Sequence, residues 1–214
     1  MKKIPTIFER DWAGDRSRVI DKLTPGCEWF YTGDFYATQK HDGTCCLMRD
    51  GKLYRRFQVK PGKKAPIGFE EVDADDSGKR YGWVLVTGGP SDRWHLEAFS
   101  NYETLPDDGT YELCGPRVQG NPEGYSKHVL VPHGQSILTY GQQFGDDLSF
   151  RGVRAFLQHA VPAYVEGIVF WDRSLSAPIG KIKKSDFGIP VIPAKVVGGE
   201  GEELSAELLA TPSE

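Results

Sequence analysis

Short strand-like runs separated by turn residues fill residues 35–184, and a helical period shows in only one place. FYATQK (35–40) leads through His41-Asp42-Gly43 into TCCLMR (44–49), and Asp50-Gly51 leads on into KLYRRFQV (52–59). Asp-Gly between such runs encodes a tight hairpin, because both central residues must take a left-handed backbone. Further strands are expected at WVLVT (83–87), RWHLEAF (93–99), TYELCG (110–115), HVLVP (128–132), YVEGIVFW (164–171) and PIGKIKK (178–184). EEVDADDSGKR (70–80) and RVQGNPEGYS (117–126) read as loops. SFRGVRAFLQHA (149–160) is the helix: Phe150, Val153, Phe156, Leu157 and Ala160 fall on one face, and Pro162 follows its end. The expectation is an α+β domain of antiparallel sheets flanked by helices.

With 214 residues, the chain suits one domain, expected over residues 1–190, followed by an acidic, flexible tail over 191–214. The net charge of -4 is unevenly placed. From Val197 onward there are five acids and no Lys or Arg, so residues 1–196 carry 26 basic and 25 acidic side chains. Lys52, Arg55, Arg56, Lys60, Lys63 and Lys64 form one basic cluster, and Lys181, Lys183 and Lys184 another. A near-neutral body with basic patches can hold phosphates. No apolar stretch approaches the roughly 18 residues of a membrane span, and MKKIPTIFERDW has no apolar leader core. Cys27, Cys45, Cys46 and Cys114 make no CxxC pair, which points to a reducing, cytoplasmic setting. His41, His95 and His159 show no metal-ligand spacing, so no zinc site is expected.

Five elements carry candidate chemistry. Lys40 stands at a strand end before His41-Asp42-Gly43, where Gly43 lets the backbone approach a ligand. A deprotonated lysine there can attack phosphorus, and burial with neighbouring cations would free its lone pair. Arg55 shares a strand face with Leu53, Phe57 and Val59 and so needs an anion partner or lies at the sheet's edge, while Arg56 lies on the opposite, solvent face. Glu112 in TYELCG is either exposed or, if buried, hydrogen-bonded to a group such as a sugar hydroxyl. Glu166 opens the apolar strand Gly167–Trp171 and can hold a divalent cation. Lys181 and Lys183 alternate with Ile182 and share a face that an anion such as a triphosphate would neutralise, whereas Lys184 points away into solvent.

In this order, KHDG, the arginine fifteen residues after its lysine, YELCG, EGIVFW and KIKK resemble the covalent nucleotidyltransferase superfamily of polynucleotide ligases and capping enzymes. EWFYTGDFYATQKHDGTCC and YELCGPRVQGNPEGYSKHVLVPHG further resemble the small one-domain RNA ligases, from about Phe8 to Pro190. The resemblance implies a nucleotidyltransferase, ATP-grasp-like fold without an OB-fold domain; the thirty residues after Lys184 are too few for one. It also implies ATP with Mg²⁺ or Mn²⁺, RNA 5′-phosphate and 3′-hydroxyl ends as substrates, and action as a monomer. Lys40 would accept AMP. Asp42 and Gly43 would shape its turn, and Arg55 would touch phosphate or nucleic acid. Glu112 would bind ribose, Glu166 would assist metal and lysine, and Lys181 and Lys183 would bind the phosphates. Many ligases carry a glutamate just before the lysine. Here Thr38-Gln39 stands there, leaving adenine to backbone atoms or to Gln39. The base-stacking ring is left between Tyr125, His128 and His133. A DNA nick ligase, a GTP-using capping enzyme and a non-catalytic RNA-end-binding module are the rival readings.

Overall fold

The computed structural model describes residues 2–135 and 147–194. The strands are β1 (Phe8–Arg10), β2 (Val19–Leu23), β3 (Tyr36–Lys40), β4 (Thr44–Arg49), β5 (Lys52–Val59), β6 (Glu70–Ala74), β7 (Arg80–Leu85), β8 (Gly109–Cys114), β9 (Val129–Pro132), β10 (Gly167–Trp171) and β11 (Pro178–Lys183). Among the described residues two α-helices accompany them, α1 (Arg93–Ser100) and α2 (Phe150–His159). The strands form a β1-β2 pair, a three-stranded sheet β11-β10-β3 and a six-stranded sheet β6-β7-β5-β4-β8-β9. Every pairing within these sheets is antiparallel. The molecule is therefore an α+β fold of antiparallel sheets with few helices.

The hairpin signal holds at Asp50 (φ 52°) and Gly51 (φ 68°), whose left-handed backbones close β4 onto β5. Three readings need correction. RWHLEAF forms α1, not a strand: Trp94, His95, Ala98 and Phe99 recur at helical spacing and pack inward. The stretch 70–80 is not all loop. Its first five residues form β6, which pairs with β7 at the edge of the large sheet, where charged side chains are tolerated. Beyond it, Asp75 holds the turn by accepting from the Ser77 and Lys79 amides. β1 and β2 were not expected from the sequence at all.

Each sheet has its own core. Ala37, Ile168, Phe170 and Ile182 of the small sheet meet Val153, Phe156 and Leu157 of α2, with Phe8, Phe30 and Phe35. Fully burying such side chains contributes roughly 1.5–3 kcal/mol each. Ser149 caps α2 by accepting from the Gly152 amide at 3.1 Å. Cys46, Met48, Leu53, Tyr111, Leu113 and Leu130 of the large sheet pack on Ala98 of α1. Residues 191–194 run against the body, with the Ile192 amide donating to Ala163 O and the Ala194 amide to Pro122 O. The rest of the expected tail lies outside the described residues. Among those residues no helix is long and apolar enough to cross a membrane.

Candidate functional site

Strand pleat decides which side chains face the gap between the two sheets. In the small sheet, the core takes Ala37, Ile168, Phe170 and Ile182, so the opposite face carries two rungs. One aligns Thr38, Val169 and Lys181, and the next aligns Lys40, Gly167 and Lys183. Gly167 is required in the middle of its rung: a Cβ there would stand 2.2 Å from the Ile182 carbonyl oxygen. On the other side of the gap, β4, β5 and β8 present Cys45, Arg56, Gln58 and Glu112. The cleft so formed has a volume of about 420 Å³.

Among the residues selected from sequence, Gln39, Lys40, Glu112 and Lys181 line this cleft. Glu166 joins its lysines: its carboxylate takes a short ion pair from Lys40 Nζ and lies 3.6 Å from Lys183 Nζ. Lys181 and Lys183 also line a neighbouring groove built from the N-terminal segment. Burial pulls the Lys40 ammonium pKa down, but the charge and hydrogen bond of Glu166, with Glu112 and Asp42, outweigh it and hold it above the usual range. The expectation of a lysine freed by neighbouring cations is thus reversed, and Lys40 rests as an ion-paired ammonium. Lys181 behaves as that expectation described. Burial, then Lys40 and Lys183, push its pKa down to about 8. The Asp42 carboxyl is pushed up by burial and by Glu166.

Gly43 serves a different contact from the one expected. A Cβ there would meet the Leu113 carbonyl oxygen at 2.2 Å, so the glycine admits β8 rather than a ligand. Glu112 is half-buried and its carboxylate lies 3.0 Å from His133 Nε2, while His133 Nδ1 meets Thr110 Oγ1.

Arg55 is not brought to the cleft. Its guanidinium pairs with Asp92 at 2.9 Å, and Asp92 also accepts from the Thr87 and Gly88 amides, anchoring the approach to α1. The opposite-face assignment of the two arginines holds, but Arg56 is half-buried against the cleft instead of facing solvent. Lys184 is also corrected. It is 2% exposed, and its ammonium donates to Val161 O at 3.1 Å and Pro162 O at 2.5 Å just past α2. Parity fails there because the chain leaves the sheet at Lys183 and turns into a 3₁₀ segment.

Of the three candidate stacking rings, only His133 reaches the cleft. His128 stacks on Trp94 with centroids 4.6 Å apart and meets Glu97, deep under α1. Tyr125 is fixed through its backbone to Asn121. The aromatic lining that the sequence did not reveal is Trp171, whose indole donates to Thr38 Oγ1 at 2.9 Å, and Tyr81. Lys2 and Lys3 also line the cleft, and no sequence signal placed them there. Glu123 was missed as well: it takes the Asp42 amide at 3.3 Å and His41 Nδ1 at 2.8 Å, and so braces the Lys40 turn. Compared with known proteins, the chain matches no family model, and no curated protein matches it significantly.

Proposed function

We propose that this chain is an ATP-dependent RNA ligase that joins 3′-hydroxyl and 5′-phosphate ends through a lysyl-AMP intermediate. The observation that carries the reading is the rung Lys40–Gly167–Lys183 with Glu166 bridging both ammoniums beside a cleft that Lys181 also lines. A lysine nucleophile, a carboxylate to take its proton and lysines aimed at one space form a set suited to attack on an α-phosphate. Trp171, Tyr81 and His133 offer flat surfaces to a base, and Glu112 can accept from a ribose hydroxyl.

In the first step, Lys40 Nζ forms a bond to the α-phosphorus as the bond to the leaving pyrophosphate breaks. The Lys40 ammonium first passes one proton to the paired Glu166 carboxylate, which frees the lone pair for attack, and the incoming triphosphate pairs with Lys181 and Lys183. AMP then passes to the RNA 5′-phosphate. The 3′-hydroxyl attacks that phosphorus, and AMP leaves. Oxygen donors suit Mg²⁺ or Mn²⁺, and Asp42, Glu112 and Glu166 all act on the Lys40 ammonium. Glu166 would hold the cation, whose chemistry is to neutralise charge on the phosphoryl oxygens.

The test is incubation with α-labelled ATP or GTP, followed by sealing of matched RNA and DNA substrates. Label on the protein from ATP alone, absent in Lys40→Ala, with RNA sealed in preference to DNA, is expected. Uptake from GTP alone would point to a capping-type guanylyltransferase. Preferred sealing of DNA would point to a nick ligase. No label at all, or label kept in Lys40→Ala, would leave an RNA-binding module or a different nucleophile.

A further inference from the structure

At the Lys40 turn, beside the cleft that His41 also lines, three residues from separate segments converge. A ring nitrogen of His41, the thiol of Cys114 and a carboxylate oxygen of Glu123 all lie within 4.8 Å of one another. His41 is 8% exposed, Cys114 2% and the Glu123 side chain 5%. One nitrogen of His41 meets Glu123 at 2.8 Å, but the other, Nε2, is buried with no hydrogen-bond partner. A buried polar atom without a partner costs free energy, so the cluster is incomplete as it stands.

We propose that His41, Cys114 and Glu123 bind a zinc-class divalent cation that clamps the 115–126 loop to the nucleophile turn. Nitrogen, sulfur and carboxylate donors together suit Zn²⁺, whereas Mg²⁺ takes oxygen ligands, so this site is distinct in kind from the one proposed at Glu166. Three protein ligands and one water would complete a tetrahedron. On binding, the Cys114 thiol gives one proton to solvent as its sulfur bonds the metal, and no electron is transferred.

A second group, Cys45, Glu112 and His133, has the same donor types but is already satisfied. Both nitrogens of His133 have partners there, in Thr110 and Glu112. The spacing argument against zinc compared histidines with one another along the chain, so it did not address ligands that come from a turn, a strand end and a loop.

The proposal does not depend on the ligase reading and is tested without nucleotide. The purified full-length chain is stripped with chelator and titrated with CoCl₂ and with ZnCl₂. One equivalent of Co²⁺ giving a thiolate-to-metal charge-transfer band, with release of one proton, is expected. Cys114→Ser should abolish the band, and Cys45→Ser should keep it. Removing even an outer-shell partner weakens metal affinity about 10–100-fold. Glu123→Gln, which keeps the side-chain shape, should therefore weaken Zn²⁺ binding by at least about 100-fold. That variant decides the matter should Cys114→Ser fail to fold. Absence of the band in the wild type, a band that survives Cys114→Ser or falls equally in Cys45→Ser, or unchanged Zn²⁺ affinity in Glu123→Gln would each overturn the site.

Discussion

Three lysines within four positions have three different environments, and those of Lys181 and Lys184 each have a measurable consequence. Lys181 is a buried cation beside other cations, with its pKa pushed down to about 8 from 10.5. Between those values the folded chain binds fewer protons than the unfolded one, so stability rises with pH across that window. Below about pH 8 both states are protonated and the full cost of charging Lys181 is present. Lys181→Met should therefore stabilise the ligand-free protein at pH 7, by on the order of 1–2 kcal/mol, since one pKa unit is about 1.4 kcal/mol. It should also flatten the rise above pH 8. Thermal unfolding at pH 7 and 9.5 checks both, and a wild-type stability that falls across that window would refute the assignment. Nucleotide affinity should move the other way, weakening as pH rises past about 8 and Lys181 loses its charge. Lys184 is structural. Lys184→Ala strips two carbonyls of their donor and should cost about 2–3 kcal/mol in denaturant unfolding. The rate of lysyl-AMP formation per folded molecule should stay within about twofold, and a rate loss without a stability loss would place Lys184 at the phosphates instead. Sequence parity placed Lys181 and Lys183 correctly because they lie inside β11. It misplaced Lys184 because parity ends where the strand does.

At the scale of elements, what was legible followed from how much local signal each one carries. β3, β4 and β5 were readable because β-branched and aromatic runs flank an Asp-Gly turn, and α2 because its apolar residues keep one face over ten positions. α1 has eight residues, and in so short a window RWHLEAF fits either period. β6 is acidic, and β1 has three residues, so their strand character comes from their partners. The candidate site divided in the same way. Lys40, Glu166, Lys181 and Lys183 belong to adjacent strands of one sheet, where register brings them together. Arg55 depended on which face of β5 meets the cleft, and α1, read as a strand, in fact covers the Arg55 side. Gly167 ties element to chemistry. Gly167→Ala would push β10 off β11 at the Ile182 carbonyl and separate Glu166 from both lysines. Overpacking of this kind costs about 1–3 kcal/mol, a Tm loss of roughly 2–12 °C for a domain this size. Lysyl-AMP formation should fall more than the folded fraction does. A variant of normal stability and rate would show that the rung spacing is not what aligns them.

For the whole molecule, the decisive fact is that two separate cores leave a cleft between them, and the N-terminal segment spans it. Pro5 and Ile7 pair with the edge of β11 through the Lys181 backbone, at 2.9 and 3.0 Å. The Lys3 amide reaches Asp73 of β6 on the other sheet at 2.9 Å. Lys2, Lys3 and Ile4 then line the cleft beside Lys181 and Arg56. Nothing local marks MKKIP as part of a site. Its place depends on contacts 70 to about 180 residues away in sequence, as the Lys3–Asp73 separation shows. The segment therefore contributes two separable things, positive charge and a link between sheets. Exposed charges contribute about 0–1 kcal/mol each, so replacing Lys2 and Lys3 together by alanine should weaken ATP binding by roughly three- to tenfold. Removing residues 2–4 also removes the Asp73 link and should weaken it at least about threefold further. Calorimetry in a Lys40→Ala background, where no turnover consumes ATP, compares the two directly. Raising salt should narrow the difference between the wild type and the double substitution, because it screens charge. The extra loss on truncation should persist at high salt, because it comes from a missing span. Equal affinities for the truncated and doubly substituted chains would mean that the segment acts by charge alone.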